Sequence, residues 1–383
     1  MTITNCSIFK RYPVSFGSSG VSAGYEILVG RGITPAIADF LAQKTKDDRV
    51  IVVCDDYFKG RIASLTDALA KAGFSVNVYS FEGGKHHKNI NEAMRIYEAL
   101  EKSDFARDST MIAVGGGVIG DLAGFVASTY LRGMNLIHVP SSLTAMIDSS
   151  IGGKVAINFR KTVNAIGNYY HPILNVIDLD FMDTLPPRDY LAGLAEIIKC
   201  AVIADKELFD YLDVNSEAVL RREEVALLKI IYRAIEIKLD HVRDDVREQS
   251  IRLKLNYGHT MGHAVEISTG MFEEVYRHGE GVAIGMVGAA HIARAFLKQG
   301  DEILKRHEAV LEKYGLPVKC ASGAIGFDAD LLKKECLRNI FKDKKKKDAM
   351  LRFVLPVAIG RCEVYAGIPD EMLQKAFDYI IGQ

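Results

Sequence analysis

Short apolar runs and longer amphipathic stretches alternate along the first half of the chain. Val50 to Cys54 is apolar and stops at Asp55-Asp56. Ser75 to Phe81 follows a helix-like stretch that closes at Gly73, and Met111 to Val114 runs into Gly115-Gly116-Gly117. Leu136 to Val139 stops at Pro140, and Leu174 to Ile177 stops at Asp178. Strand, turn, helix and strand at this spacing predict an α/β domain, a mostly parallel sheet with helices packed on it. After Pro186-Pro187 the period changes. From Arg188 to Gln299 strand-like alternation is almost absent, and Val225 to Val242 carries Leu228, Ile231, Ile235 and Leu239 at steps of three and four. The expectation is a mainly α-helical second domain, with bounds at 1–185 and 186–383. Leu351 to Leu355 reads as a lone strand behind the Lys344–Lys347 cluster.

Composition narrows the class. The 383 residues allow two to three domains at roughly 150 residues each. Hydrophobic residues at 49% and charged residues at 25% exclude a disordered, collagen-like or coiled-coil chain. Lys plus Arg total 48 against 49 for Asp plus Glu, so there is no basic surplus for nucleic acid, and Lys344 to Lys347 read as a solvated run. Six cysteines form no CxxC pair, which speaks against a disulfide framework or a thiolate zinc site and for a reducing cytoplasm. The N-terminus lacks the pattern of a secretory signal, and the longest apolar run, Gly281 to Ala290, is about half of a membrane span. A cytoplasmic protein without nucleic-acid or membrane partners is expected.

The chemistry is carried by a few segments. Gly115, Gly117 and Gly120 have the spacing G-x-G-x-x-G after a strand, where backbone N–H groups and a helix N-terminus approach a diphosphate; the alternative is a plain tight turn. The loop follows a late strand, which favours a nucleotide site of another α/β design over a standard Rossmann unit. His259 and His263 stand one helical turn apart, but Thr260 replaces the Glu of a zinc protease. His278 follows in Arg-His-Gly-Glu, and Glu196 sits on an apolar helix where a charge needs a partner. Two imidazoles and a carboxylate with an open position suit catalytic Zn²⁺. Isolated His241, His291 and His307 read as chance residues on solvated helix faces. Asp148-Ser-Ser-Ile-Gly-Gly-Lys154 puts two charges around small residues, either an exposed turn or a phosphate-binding site.

Six segments occur together. They are Gly115-Gly-Gly-Val-Ile-Gly-Asp-Leu-Ala-Gly124, Tyr130-Leu-Arg-Gly133, Asp148 to Lys154, Leu185-Pro-Pro-Arg188, Gly193-Leu-Ala-Glu-Ile-Ile-Lys199 and Leu255-Asn-Tyr-Gly-His-Thr-Met-Gly-His263. In this order, within a stretch from about Gly83 to Val354, they resemble the sugar phosphate cyclase family, and its dehydroquinate synthases most. The resemblance implies an NAD-binding α/β domain followed by a helical metal-binding domain, and a cyclase that eliminates phosphate from a ketose or heptulosonate phosphate. It implies transient oxidation by NAD, elimination, reduction, ring opening and an intramolecular aldol. By motif, Glu196, His259 and His278 correspond to ligands of Zn²⁺ or Co²⁺. Asp148, Lys154, Lys199 and Asn256 correspond to positions that hold substrate hydroxyls. Lys154, Asn164, His263 and Lys344 correspond to the phosphate side, and Arg132 to an arginine reaching the neighbouring subunit, which implies a homodimer. The NAD positions are Asp55, Gly83 to Lys88, Gly115 and Gly116, the run Gly117, Val118, Ile119, Gly120 and Asp121, then Ser141, Ser142, and Phe181 to Thr184; Asp148 and Lys154 also border the cofactor.

Lys238 and Arg252 correspond to the cations that hold the substrate carboxylate, so the resemblance favours 3-deoxy-arabino-heptulosonate 7-phosphate over a neutral sugar phosphate. Three departures stand beside it. Val163 precedes Asn164 where the family has lysine, Asn158-Phe159-Arg160 resembles the valiolone-type cyclases, and the segment Met1 to Gly24 is long. An aminodehydroquinate synthase, a sedoheptulose 7-phosphate cyclase, a metal-dependent polyol dehydrogenase and a non-catalytic binding relative are the alternatives.

Overall fold

A computed structural model describes residues 7–16, 24–160, 162–270, 275–346 and 351–382, the side chains of 342–346 excepted. The chain divides into two compact units, Met1–Pro186 and Pro187–Gln383.

In the first unit, β1 (Ser7–Val14) and β2 (Tyr25–Arg31) precede α1 (Ala36–Lys44). Next come β3 (Arg49–Asp55), α2 (Ala63–Lys71), β4 (Ser75–Phe81) and α3 (Ile90–Lys102). β5 (Thr110–Gly115), α4 (Gly117–Thr129) and β6 (Asn135–Pro140) continue the alternation. A hairpin of β7 (Lys154–Phe159) and β8 (Thr162–Tyr169) comes before β9 (Leu174–Asp178). Seven strands form one sheet in the order β1-β2-β9-β6-β5-β3-β4, parallel except for β1 against β2.

Both faces of the sheet are covered, so its inner strands are apolar throughout rather than alternating. Val50, Val52 and Cys54 of β3 pack with Ile37, Leu41, Leu65 and Leu69 of α1 and α2. Ile51 and Val53 point the other way, to Ala93, Ile96, Leu122 and Val126 of α3 and α4. The connection leaving β3 and the one leaving β5 therefore pass over opposite faces, although the two strands are neighbours. That is the topological switch point at which open α/β sheets leave a crevice beyond the carboxyl ends of the strands.

The second unit is mainly helical. It contains α5 (Pro187–Ala204), α6 (Lys206–Val214), α7 (Ser216–Leu220), α8 (Glu224–Val242), α9 (His259–Ser268), α10 (His278–Phe296) and α11 (Glu302–Lys313). After β10 (Cys320–Ala321) and α12 (Ala329–Lys346) come β11 (Arg352–Ala358), β12 (Arg361–Ala366), α13 (Asp370–Ile380) and β13 (Ile381–Gly382). Glycines let α9 and α10 touch backbone to backbone. A Cβ on Gly285 would lie 1.9 Å from the carbonyl oxygen of Gly258, and one on Gly262 would lie 2.5 Å from that of Gly281.

Three expectations are corrected. The strand expected at Leu351 to Leu355 is not alone: β11 pairs antiparallel with β12, whose charged Arg361 and Glu363 hide its alternation. His241 and His307 are buried rather than solvated, because each ring donates from Nδ1 to the carbonyl one turn back, Ile237 and Ile303, at 2.7 Å. His291 is half-buried and stacks on Tyr379 at 4.5 Å between centroids. Part of the long N-terminal segment is strand β1. Among the described residues, no helix is long and apolar enough to cross a membrane.

Candidate active site

In the second unit, α5, α9 and α10 each deliver one member of a buried cluster. Glu196 is fully buried on α5, and its Oε1 lies 3.3 Å from Nε2 of His278 and 3.8 Å from Nε2 of His259. Oε1 thus faces the two imidazole nitrogens, while Oε2 is paired with Lys199 Nζ at 2.5 Å. Both imidazoles are held from behind. His259 Nδ1 donates to the carbonyl of Tyr257 at 3.1 Å, and His278 Nδ1 donates to Oε1 of Glu266 at 3.0 Å. Each ring thus turns an Nε2 toward Glu196, the tautomer and aim that a metal-binding histidine takes from its outer partner.

His263 makes a second overlapping set. The ligand atoms of His259, His263 and His278 lie within 4.8 Å of one another. We favour Glu196 over His263 as the third donor. The three rings are nearly equidistant between centroids, 5.1 Å between His259 and His278 and 5.3 and 5.4 Å from these to His263, but Glu196 is buried with an oxygen facing two nitrogens, whereas His263 is exposed.

Charge fits the same reading. Burial works against ionising Glu196, yet Lys199, His278 and His259 hold its carboxyl well below the usual range. Burial pushes His259 down to about 3, so it is a neutral donor at pH 7. For His278 burial is outweighed by Glu266 and Glu196, and the imidazole is raised to about 10. The two carboxylates thus keep a cation on that ring. A divalent metal supplies the same positive charge and replaces the proton on Nε2, so the donor set fits Zn²⁺ or Co²⁺.

Around this cluster the structure locates other expected residues. Lys238 on α8 and Arg252 on the turn packed against it are 6% and 1% exposed, so neither is surface charge. Arg252 Nη1 donates to the carbonyl of Val246 at 2.5 Å, and its backbone N–H joins those of Gln249 and Ser250 on the Asp245 carboxylate. Asn256 donates from Nδ2 to Glu248 at 2.7 Å. Lys344 lies outside the described side chains. Arg188 of the Leu-Pro-Pro-Arg segment holds both oxygens of Glu280 at 2.7 Å and bonds the carbonyl of Val275, anchoring the start of α10.

In the first unit the expected nucleotide residues gather at the carboxyl ends of the parallel strands. Asp55 ends β3, and a Cβ on Gly83 would lie 2.0 Å from its carboxylate. Gly115 ends β5, and Gly116 caps α4, opened by Gly117, Val118, Ile119 and Gly120. A side chain on Gly115 would strike Ile119 at 2.5 Å. Ser141, after β6, bonds the carbonyl of Gly115 through its N–H at 2.9 Å, and Ser142 Oγ accepts from Ala145 at 3.3 Å. Phe181, after β9, packs edge-on to Phe58, and Thr184 bonds its carbonyl.

Lys88 connects several of these. Its buried ammonium pairs with Asp121 on α4 and donates to Oδ1 of Asn164 on β8 at 2.5 Å. Asn164, expected on the phosphate side, therefore stands with two residues expected at the cofactor, in a left-handed conformation at φ 51°. Burial pushes the Asp121 carboxyl up against the pull of Lys88; Asp148 raises it and Lys154 lowers it, so both charges lie in its field. Asp148 sits on a π-helical turn, Ala145–Ser149, a form common at functional sites. Lys154 and Arg132 are exposed.

Glu266 was not among the expected residues. It lies seven positions after His259, two turns along the same face of α9, and that spacing is its signal in the sequence.

The chain matches the 3-dehydroquinate synthase N-terminal family over residues 78–192 and the 3-dehydroquinate synthase C-terminal family over 193–346. It is 37% identical to a 3-dehydroquinate synthase of Thermodesulfovibrio yellowstonii, covering 92% of this chain and 96% of that one. It is 38% identical to that of Gloeobacter violaceus, covering 94% and 97%. A 2-epi-5-epi-valiolone synthase from Streptomyces hygroscopicus, solved with NAD⁺ and Zn²⁺ bound, superposes with a TM-score of 0.84 at 25% identity, covering 95% of this chain and 98% of that one. With both halves matched in order and relatives this similar along nearly their whole length, the chain belongs to the 3-dehydroquinate synthase family.

Proposed function

We propose that the chain is a 3-dehydroquinate synthase, a lyase that converts 3-deoxy-arabino-heptulosonate 7-phosphate to 3-dehydroquinate with loss of phosphate and no net oxidation. One observation carries the substrate choice. Lys238 and Arg252 are both buried in the helical unit, and two nearly inaccessible cations suit a substrate carboxylate, which a neutral sugar phosphate lacks.

The valiolone synthase holds NAD⁺ and Zn²⁺, and the same pair suits the residues here. The dinucleotide belongs to the strand ends of the first unit, and Zn²⁺ or Co²⁺ to Glu196, His259 and His278 of the second. A bound cation would polarise the hydroxyl to be oxidised, and bound NAD⁺ would supply a reversible hydride acceptor. Lys199, Asp148 and Asn256 hold substrate hydroxyls. Asn256 spends one N–H on Glu248, which leaves its second N–H and its carbonyl oxygen for a substrate hydroxyl. Lys154, exposed His263 and Lys344 belong to the phosphate, where positive charge stabilises the leaving group. Arg132 serves the phosphate of a neighbouring subunit in a homodimer. Free thiols at Cys54, Cys200, Cys320, Cys336 and Cys362 suit a cytoplasmic location.

Phosphate release with catalytic NAD⁺ and added Zn²⁺ or Co²⁺ tests this reading. Heptulosonate 7-phosphate, its amino analogue and sedoheptulose 7-phosphate are run side by side, with each carbocycle identified by mass. Release from heptulosonate phosphate without net NADH is the expected result. Turnover of sedoheptulose phosphate alone refutes the carboxylate assignment of Lys238 and Arg252, and stoichiometric NADH indicates a dehydrogenase.

A further inference from the structure

The turn that delivers both Asn256 and His259 is tied to α11, a helix that carries none of the site residues. Tyr257 is fully buried, and its hydroxyl lies 2.9 Å from Nε2 of His307 and 3.1 Å from the carbonyl oxygen of Met286. His307 is fully buried on α11, with Nδ1 at 2.7 Å from the carbonyl of Ile303. A carbonyl can only accept, so Nδ1 carries the proton, and Nε2 of the neutral ring is an acceptor that shares the single phenol proton with the Met286 carbonyl.

The backbone of the same residue has a different task. The carbonyl of Tyr257 accepts a hydrogen bond from Nδ1–H of His259 and so leaves Nε2 facing Glu196. Gly258 follows at φ 78°, where a Cβ would meet Met286 and the carbonyl of Val282 at 2.7 and 2.8 Å. The turn therefore has little room, and the phenol is its one polar anchor to α11 among the bonds described. Two polar side chains in a core carry a desolvation penalty that apolar ones avoid, so a satisfied pair there selects one arrangement over its neighbours.

We propose that His307 is a positioning residue for the metal centre, holding the Tyr257 phenol and, through it, the turn whose carbonyl orients His259. The inference rests on reading Glu196, His259 and His278 as metal ligands.

The experiment uses full-length protein freed of metal and titrated with Co²⁺. Affinity is read by competition with a chelator of known strength, and geometry by the visible d–d absorption. Wild type is compared with His307→Leu, His307→Gln, Tyr257→Phe and Glu196→Gln, and urea unfolding of each metal-free form is recorded alongside. His307→Leu and Tyr257→Phe are expected to weaken Co²⁺ roughly three- to ten-fold, at or below the low end for outer-shell partners, and to shift the d–d bands alike. His307→Gln offers an amide oxygen to the phenol and restores most of the affinity. Tyr257→Phe removes a single hydroxyl, so it decides the matter if His307→Leu fails to fold. Wild-type affinity and spectrum in both variants, with only a lower unfolding midpoint, overturn the inference and leave the pair as packing. If Glu196→Gln also binds Co²⁺ like wild type, or wild type binds none, the metal assignment itself falls and the inference with it.

Discussion

A metal-binding histidine is aimed by the group on its other nitrogen, and Glu266 holds that position behind His278, a proposed ligand, at 3.0 Å. Glu266→Gln keeps the size and an acceptor but removes the charge. Chelator competition should show Zn²⁺ affinity reduced by about 10- to 100-fold. At the other end of the proposed site, Lys238→Met should raise KM for heptulosonate phosphate by roughly 10-fold or more with a smaller change in kcat, since a carboxylate contact distant from the reacting atoms binds ground and transition states alike. An unchanged KM in steady-state assays removes Lys238 from the clamp. His259 was legible from its one-turn spacing to His263, and Glu196 as a charge on an apolar helix, both local signals. His307 was not legible. It meets Tyr257 across 50 residues, and only a long-range contact distinguishes it from a histidine on a wet surface.

Elements explain why the proposed ligands converge. α9 and α10 bring His259 and His278 together through close backbone contacts that only glycine permits. Gly285→Ala, with its Cβ 1.9 Å from a backbone oxygen, forces the helices apart. A loss of about 1–3 kcal/mol in urea unfolding is expected, together with weaker metal binding; an unchanged metal affinity would show that the spacing of the two helices does not set the site. The strands of the parallel sheet were legible because strands buried on both faces are continuous apolar runs ended by glycine, proline or aspartate. The hairpin β7–β8 and strand β12 were less so. β8 is exposed along most of its length and β12 mixes charges into its alternation, so neither presents the hydrophobic contrast on which such reading depends.

At the scale of the whole molecule, buried histidines link stability to pH. Burial pushes His138 and His307 down to about 4 each. Unfolded histidine titrates near 6.5, so between pH 6.5 and 4 the unfolded chain binds protons that the folded one refuses, and stability falls as pH drops through that window. Each group contributes up to about 3 kcal/mol to that fall. Urea unfolding of His138→Phe at pH 7 and pH 5 should show a shallower dependence than wild type, by about one proton; an equal slope would mean that His138 titrates normally. By itself the sequence determined the class of the chain, the change from alternating strands and helices to helices near Pro186, the glycine turn and the residues proposed to hold a metal, since each is written in neighbouring residues or in the order of short motifs. Tertiary structure alone decided that Lys238 and Arg252 are buried, that Lys88 joins Asp121 to Asn164, that Glu266 stands behind His278 and that His307 meets Tyr257. Those facts depend on which distant segments pack together, and burial, unlike periodicity, is a property of the folded chain and not of any stretch of it.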